Sequence, residues 1–111
     1  MRRVNEALRE VLSEVVTQEL KDPRVGFVTV TAVDASPDLR HATVFVSVLG
    51  DSKKRAQSLE GLRSSHGYLQ RAVGSALRMK HTPTLSFEYD DSLDQGLRIE
   101  SLLQEELPDE L

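Results

Sequence analysis

Between Leu59 and Leu85 the chain reads LEGLRSSHGYLQRAVGSALRMKHTPTL, and its apolar residues recur at helical spacing: Leu59, Leu62, Leu69, Ala72, Val73, Ala76 and Leu77. That is the stripe of an amphipathic helix. It is interrupted once, at Ser65-His66-Gly67, where the next apolar pair belongs. Leu62 and Leu69 stand seven apart, so the apolar face keeps its phase across the break. The pattern predicts two helices joined by a bend, with little or no loop between them.

The opposite face carries the chemistry. At about 100° per residue, Arg63, Gly67, Arg71, Gly74 and Arg78 fall within roughly a quarter-turn of one another. A guanidinium presents a planar fork of donors suited to phosphate, and glycine lets a polynucleotide backbone approach closely. If Ser65 caps the second helix, the N–H groups of its first turn and the helix dipole form an anion site at the bend. The structural alternative is that glycine only permits the kink and the arginines only face water. Taken as a stripe, they favour phosphate contact. The candidate nucleic-acid-binding residues are Arg63, Ser65, His66, Gly67, Arg71, Arg78 and Lys80. Arg24 and Arg40, basic residues beside loops, are secondary candidates. For His66 three roles stay open: stacking on a base, bonding a phosphate, or facing water.

A net charge of −4 argues weakly against such a partner until its distribution is counted. Residues 88–111 hold nine acids and one base, whereas residues 1–87 hold thirteen bases and nine acids, a net of +4. Segments of opposite charge allow a basic binding face within an acidic whole. A chain of 111 residues suits one domain with a modest core. The absence of cysteine removes disulfides, thiolate nucleophiles and thiolate metal sites. No apolar run approaches membrane-spanning length, and the amphipathic, acid-bearing N-terminus differs from a signal peptide. The expectation is a cytoplasmic protein without membrane contact.

In chain order, Val4, Ala7, Leu8, Val11, Leu12, Val15, Val16 and Leu20 predict a core-facing helix from about Arg3 to Leu20. Glu6, Glu10 and Glu14 form its acidic outer row, which would repel phosphate. Asp22-Pro23 is expected to end it. Val25–Val33 alternates, with Val28, Val30 and Ala32 on one side and Phe27, Thr29 and Thr31 on the other. His41–Leu49 does the same through Ala42, Val44, Val46 and Val48, and the turn-forming DASPDL makes the two a hairpin. Phe27 and Phe45 are expected to share the less apolar face, as a cross-strand pair or as a platform for bases. Asp51 or Ser52 is positioned to cap a helix starting near Lys53, with Lys53, Lys54 and Arg55 in its first turn against the dipole. The bent helices run on to Lys80, and Leu85, Phe87 and Tyr89 mark a third strand. A short helix is expected over 91–103, with a frayed acidic tail after it.

Nothing here resembles an active site. His41, His66 and His81 have no metal-ligand spacing, and no phosphate loop ending in Gly-Lys-Ser/Thr occurs. No catalytic residue, metal ligand, cofactor or small-molecule substrate is expected, and the chain is read as a monomer.

The element order, helix-strand-strand-helix-bend-helix-strand, is that of the type II KH fold, a small α+β RNA-binding module. It implies a three-stranded sheet covered by helices on one face. A KH domain clamps the RNA backbone with a Gly-x-x-Gly loop, and the glycines at 61, 67 and 74 are spaced wrongly for one. Bacterial ribosome-binding factor A replaces that loop with a bend of the form Ala-x-Gly, and this sequence resembles that family from Arg3 to Leu103. The matching runs are LKDPRVG (20–26), VTVTAVDASPDL (28–39), ATVFVSVLG (42–50), GYLQ (67–70) and TPTLSFEYDDSLDQGLRI (82–99). Ser65 stands where the family usually has alanine. The resemblance implies a KH-like ribosome-binding domain over 1–103, with 104–111 as a tail outside it. It also implies a non-catalytic assembly factor associated with growth in the cold. Such a factor binds the maturing small ribosomal subunit, contacts its 16S rRNA, assists 5′-end processing and leaves before translation. The alternative is a KH-like protein-interaction module in which RNA binding is incidental.

Overall fold

Helical and strand periodicities resolve into three helices and a three-stranded mixed sheet, an α+β architecture, in a computed structural model that describes residues 2–92. The order is α1 (Arg2–Gln18), β1 (Val28–Ala35), β2 (His41–Val48), α2 (Ser52–Ser64), α3 (His66–Leu77) and β3 (Thr84–Tyr89). β2 is central. It pairs antiparallel with β1 across the hairpin and parallel with β3, which the chain reaches by crossing over through α2 and α3.

One face of the sheet is apolar and carries the helices. Val28, Val30, Val33 and Ala35 of β1, alternate residues of β2 from Ala42 to Val48, and Leu85 and Phe87 of β3 are buried there. Against them lie Leu8, Leu12, Val15 and Val16 of α1, Leu62 of α2, and Leu69 and Val73 of α3. α1 packs on β1 and α3, while α2 and α3 pack on β3. Leu62 and Leu69 are both fully buried, so the bend leaves the apolar stripe in phase, as the spacing requires. Truncating either to alanine would cost about 2–5 kcal/mol.

The first strand departs from simple alternation. Val30 pairs with Val46 and Ala32 with Phe45, so Thr31 is an extra residue, a β-bulge. The bulge reverses the faces: Ala32, expected beside Val30, turns to the exposed side, and Val33 and Ala35 are buried instead. Thr31 Oγ1 lies 3.2 Å from the Phe45 carbonyl and donates to Asp90 Oδ2 at 2.6 Å, tying the bulge to the chain leaving β3. The expected Phe27–Phe45 pair does not form. Phe45 lies opposite Ala32, whereas Phe27 precedes β1 and its carbonyl accepts from Leu49 N at 3.0 Å.

Helix ends follow local hydrogen bonding. α1 stops at Gln18, ahead of Asp22-Pro23, because Glu19 N and Leu20 N both donate to the Val15 carbonyl and close the last turn. Asp51 caps α2, its Oδ1 accepting from Lys54 N at 2.9 Å. At the N-terminus Asn5 Oδ1 accepts from Ala35 N at 2.9 Å, fastening α1 to the end of β1. The helix expected over 91–103 lies, beyond its first two positions, outside the described residues, as does the tail 104–111.

Candidate nucleic-acid interface

A single residue makes the bend. Ser65 (φ −94°, ψ 8°) leaves helical geometry; its N–H still donates to the carbonyls of Gly61 (3.1 Å) and Leu62 (3.0 Å), and its own carbonyl accepts from Leu69 N at 3.0 Å to begin α3. The expected cap is absent: the Ser65 hydroxyl donates backward to the Gly61 carbonyl at 3.0 Å. A φ of −94° keeps the hydroxyl beside the last turn of α2, in reach of the carbonyl four residues back, while a ψ of 8° departs from the extended backbone of an N-cap, so the backward bond displaces capping.

His66 Nδ1 lies 3.0 Å from the Arg63 carbonyl. A carbonyl only accepts, so Nδ1 carries the proton of this bond and the neutral ring keeps Nε2 as an acceptor. Neutral His66 therefore offers phosphate no donor at Nε2; protonation creates one. Next to it Gly67 is open: a Cβ there would meet only Arg71 Nη1, at 3.5 Å. The Arg71 guanidinium thus folds back along α3 over the bend.

These residues line an open groove between the end of α1 and the bend, together with Lys21 and Tyr68. Tyr68 donates its hydroxyl to Glu19 Oε1 at 2.8 Å, which ties α3 to the chain just after α1 and pushes the phenol pKa up. Sequence reading passed over Lys21 and Tyr68; both lie in the matched runs LKDPRVG and GYLQ, but no periodicity marks them as neighbours.

The expected stripe divides. Arg63 Nη2 donates to the Phe87 carbonyl at 3.0 Å, so this side chain lies along β3. Gly74 is no bare surface, because a Cβ there would stand 2.6 Å from Thr82 Oγ1. Arg78 ends α3 in the left-handed region (φ 51°), and Lys80 lines a second groove with Arg40, His41 and His81 at that end. Arg24 is an ion-pair centre, bonded to both Asp22 oxygens (Nε to Oδ1 3.1 Å, Nη2 to Oδ2 2.7 Å) and 3.3 Å from Glu60 Oε1. Its guanidinium and backbone N–H hold the Asp22 carboxyl down to about 2.

Arg55 stacks on the Tyr89 ring, 3.6 Å from its centroid. Phe27 and Leu49 are 80% and 73% exposed, so of the two candidate phenylalanines it is Phe27 that has room to stack a base; Phe45 is half-buried. Among the described residues no cluster of three or more His, Cys, Asp or Glu is placed to hold a metal ion, and no helix is long and apolar enough to cross a membrane.

The ribosome-binding factor A family model matches residues 1–103. The chain is 48% identical to the ribosome-binding factor A of Halothermothrix orenii over 103 residues, covering 93% of this chain and 84% of that protein. A solution structure of a putative ribosome-binding factor A from Thermotoga maritima superposes with a TM-score of 0.74 at 31% identity, covering 82% of this chain and 87% of that one. A Thermus thermophilus ribosome-binding factor A model, fitted into the cryo-electron microscopy map of a 30S complex, superposes with a TM-score of 0.66. Its identity is 29%, and the match covers 78% of this chain and 91% of that one.

Proposed function

This chain belongs to the ribosome-binding factor A family, and from that premise we propose that it binds the 30S small ribosomal subunit during assembly, with the α2–α3 bend facing 16S rRNA. It acts by binding, without catalysis, in the cytoplasm and as a monomer. It assists late maturation, including 5′-end processing of the precursor rRNA, and departs before translation; its place in growth in the cold follows from the same role. The binding domain spans 1–103. The RNA surface takes in Ser65, His66, Gly67 and Arg71 at the bend, and Arg40, Arg78 and Lys80 beyond it. Arg63 and Arg24 flank that surface, their guanidinium groups directed to β3 and to Asp22.

Gly67 carries the reading. Glycine inside a helix costs about 1 kcal/mol relative to alanine, so it needs a reason. Gly61 and Gly74 have one in packing: a Cβ at Gly61 would stand 2.7 Å from Val25 Cγ2, and Thr82 fills the space over Gly74. Gly50 has one in its φ of +133°. Gly67 has ordinary helical geometry and room for a methyl group, yet it remains bare beside Arg71. Close approach of a phosphate backbone is the reason that fits both the missing side chain and the adjacent guanidinium.

The test is co-sedimentation of the purified chain with small subunits as salt is raised. Contacts to phosphate release counterions, so retention should fall steeply with salt. Retention that ignores salt would instead assign binding to an apolar protein contact, for which Phe27 and Leu49 are the exposed candidates.

A further inference from the structure

Two loops from distant parts of the sequence meet at the C-terminal end of α3. The turn after β1 brings Arg40 to His41 at the start of β2, and the connection from α3 to β3 brings Lys80 and His81 against them. Backbone pairing fixes the juxtaposition: Thr84 N donates to the Arg40 carbonyl at 2.8 Å, and His41 is in register with Thr84. Both loops carry backbone that residues with a Cβ rarely adopt. Leu39 (φ 59°) and Arg78 (φ 51°) are the two non-glycine residues in the left-handed region among the described residues. Held conformations of this kind cluster at functional sites.

The charges at this end suit an anion. Arg40 and Lys80 are exposed, as are both histidines. Asp38 is the carboxylate of the groove, and the turn itself occupies it: Oδ1 accepts from Ser36 Oγ at 2.7 Å and from Arg40 N at 3.0 Å, while Oδ2 lies 3.9 Å from Arg40 Nε. Those bonds hold its carboxyl below the usual range. Asp34 faces His41 from the β1 side. Protonation of His41 and His81 therefore adds two positive charges beside Arg40 and Lys80, facing Asp38 and Asp34.

We propose that this end is a second phosphate-binding site, built from Arg40 and Lys80 and reinforced by His41 and His81 when they are protonated. α3 separates it from the bend by about 18 Å, twelve residues at about 1.5 Å each. One RNA therefore meets the protein at two points rather than along a continuous stripe. The inference rests on the reading that the chain binds rRNA.

The experiment measures affinity of the full chain for isolated small subunits against salt, at about pH 8 and about pH 6, either side of the ordinary histidine pKa. The proteins are the wild type, Arg40→Ala/Lys80→Ala, His41→Gln/His81→Gln and, for comparison, Arg71→Ala. Thermal unfolding confirms that each is folded. With two phosphate contacts removed, Arg40→Ala/Lys80→Ala should lower the slope of log affinity against log salt by about 1.4–1.8. The histidine variant should match the wild type at about pH 8 and lose part of the wild type's extra affinity at about pH 6, the remainder coming from His66 at the bend. A wild-type slope in Arg40→Ala/Lys80→Ala alongside a reduced slope in Arg71→Ala would overturn this second site and leave the bend standing. An unchanged pH response in His41→Gln/His81→Gln would overturn the role of the histidines. Salt-independent binding by the wild type would remove the rRNA reading, and this site with it.

Discussion

The Arg71 guanidinium lies over the place where Gly67 lacks a side chain, its Nη1 3.5 Å from where a Cβ would be. Bare backbone and cation therefore share one spot at the bend, and each can be removed separately.

Gly67→Ala separates stability from binding. The added methyl makes only an ordinary contact with Arg71, and alanine in a helix is better than glycine by up to about 1 kcal/mol. The variant should unfold at higher denaturant than the wild type yet bind small subunits more weakly. The control is Gly61→Ala, buried against Val25 at 2.7 Å, which should lose about 1–3 kcal/mol through overpacking. Chemical denaturation beside subunit binding checks both. A stabilised Gly67→Ala that binds normally would contradict close approach at the bend.

Arg63→Ala should behave in the opposite way. Its Nη2 is bonded to the Phe87 carbonyl at 3.0 Å, so truncation costs about 1 kcal/mol of stability. The salt slope of subunit binding should change less than it does in Arg71→Ala. Equal slope changes in the two variants would restore the continuous stripe that the helical phases suggest.

Asp22 sets part of the acid sensitivity. Its folded carboxyl titrates at about 2 against an ordinary 3.8 because Arg24 bonds both of its oxygens. A depressed pKa stabilises the fold while the pH lies above the unfolded value, and that contribution disappears as pH falls from about 4 to about 2. Asp22→Asn should be less stable at neutral pH and lose less stability across that window, as read by denaturant titrations at a series of pH values. Parallel curves for the two proteins would show the pair to be thermodynamically silent.

The bend was legible because helical period survives it: Leu62 and Leu69 occupy the same face on either side of Ser65. The second hairpin strand and the Asp51 cap were legible for the same kind of reason, a local rule with few competitors; the first strand was legible as an element, but it runs over Val28–Ala35 and not from Val25 to Val33. Three features were not. One extra residue at Thr31 reverses which side chains are buried, and nothing in an alternating sequence marks where such a bulge falls. The Ser65 hydroxyl had two partners within reach, and the backward bond to Gly61 won. Thr82 over Gly74, and Lys80 with His81 beside Arg40 and His41, are tertiary meetings that no spacing encodes.

The salt dependence of small-subunit binding by Arg71→Ala tests the central claim most directly. If Arg71 grips an rRNA phosphate at the bend, the slope of log affinity against log salt falls by about 0.7–0.9 relative to the wild type, while thermal stability is unchanged. The same slope in both proteins would mean that the bend does not hold the RNA.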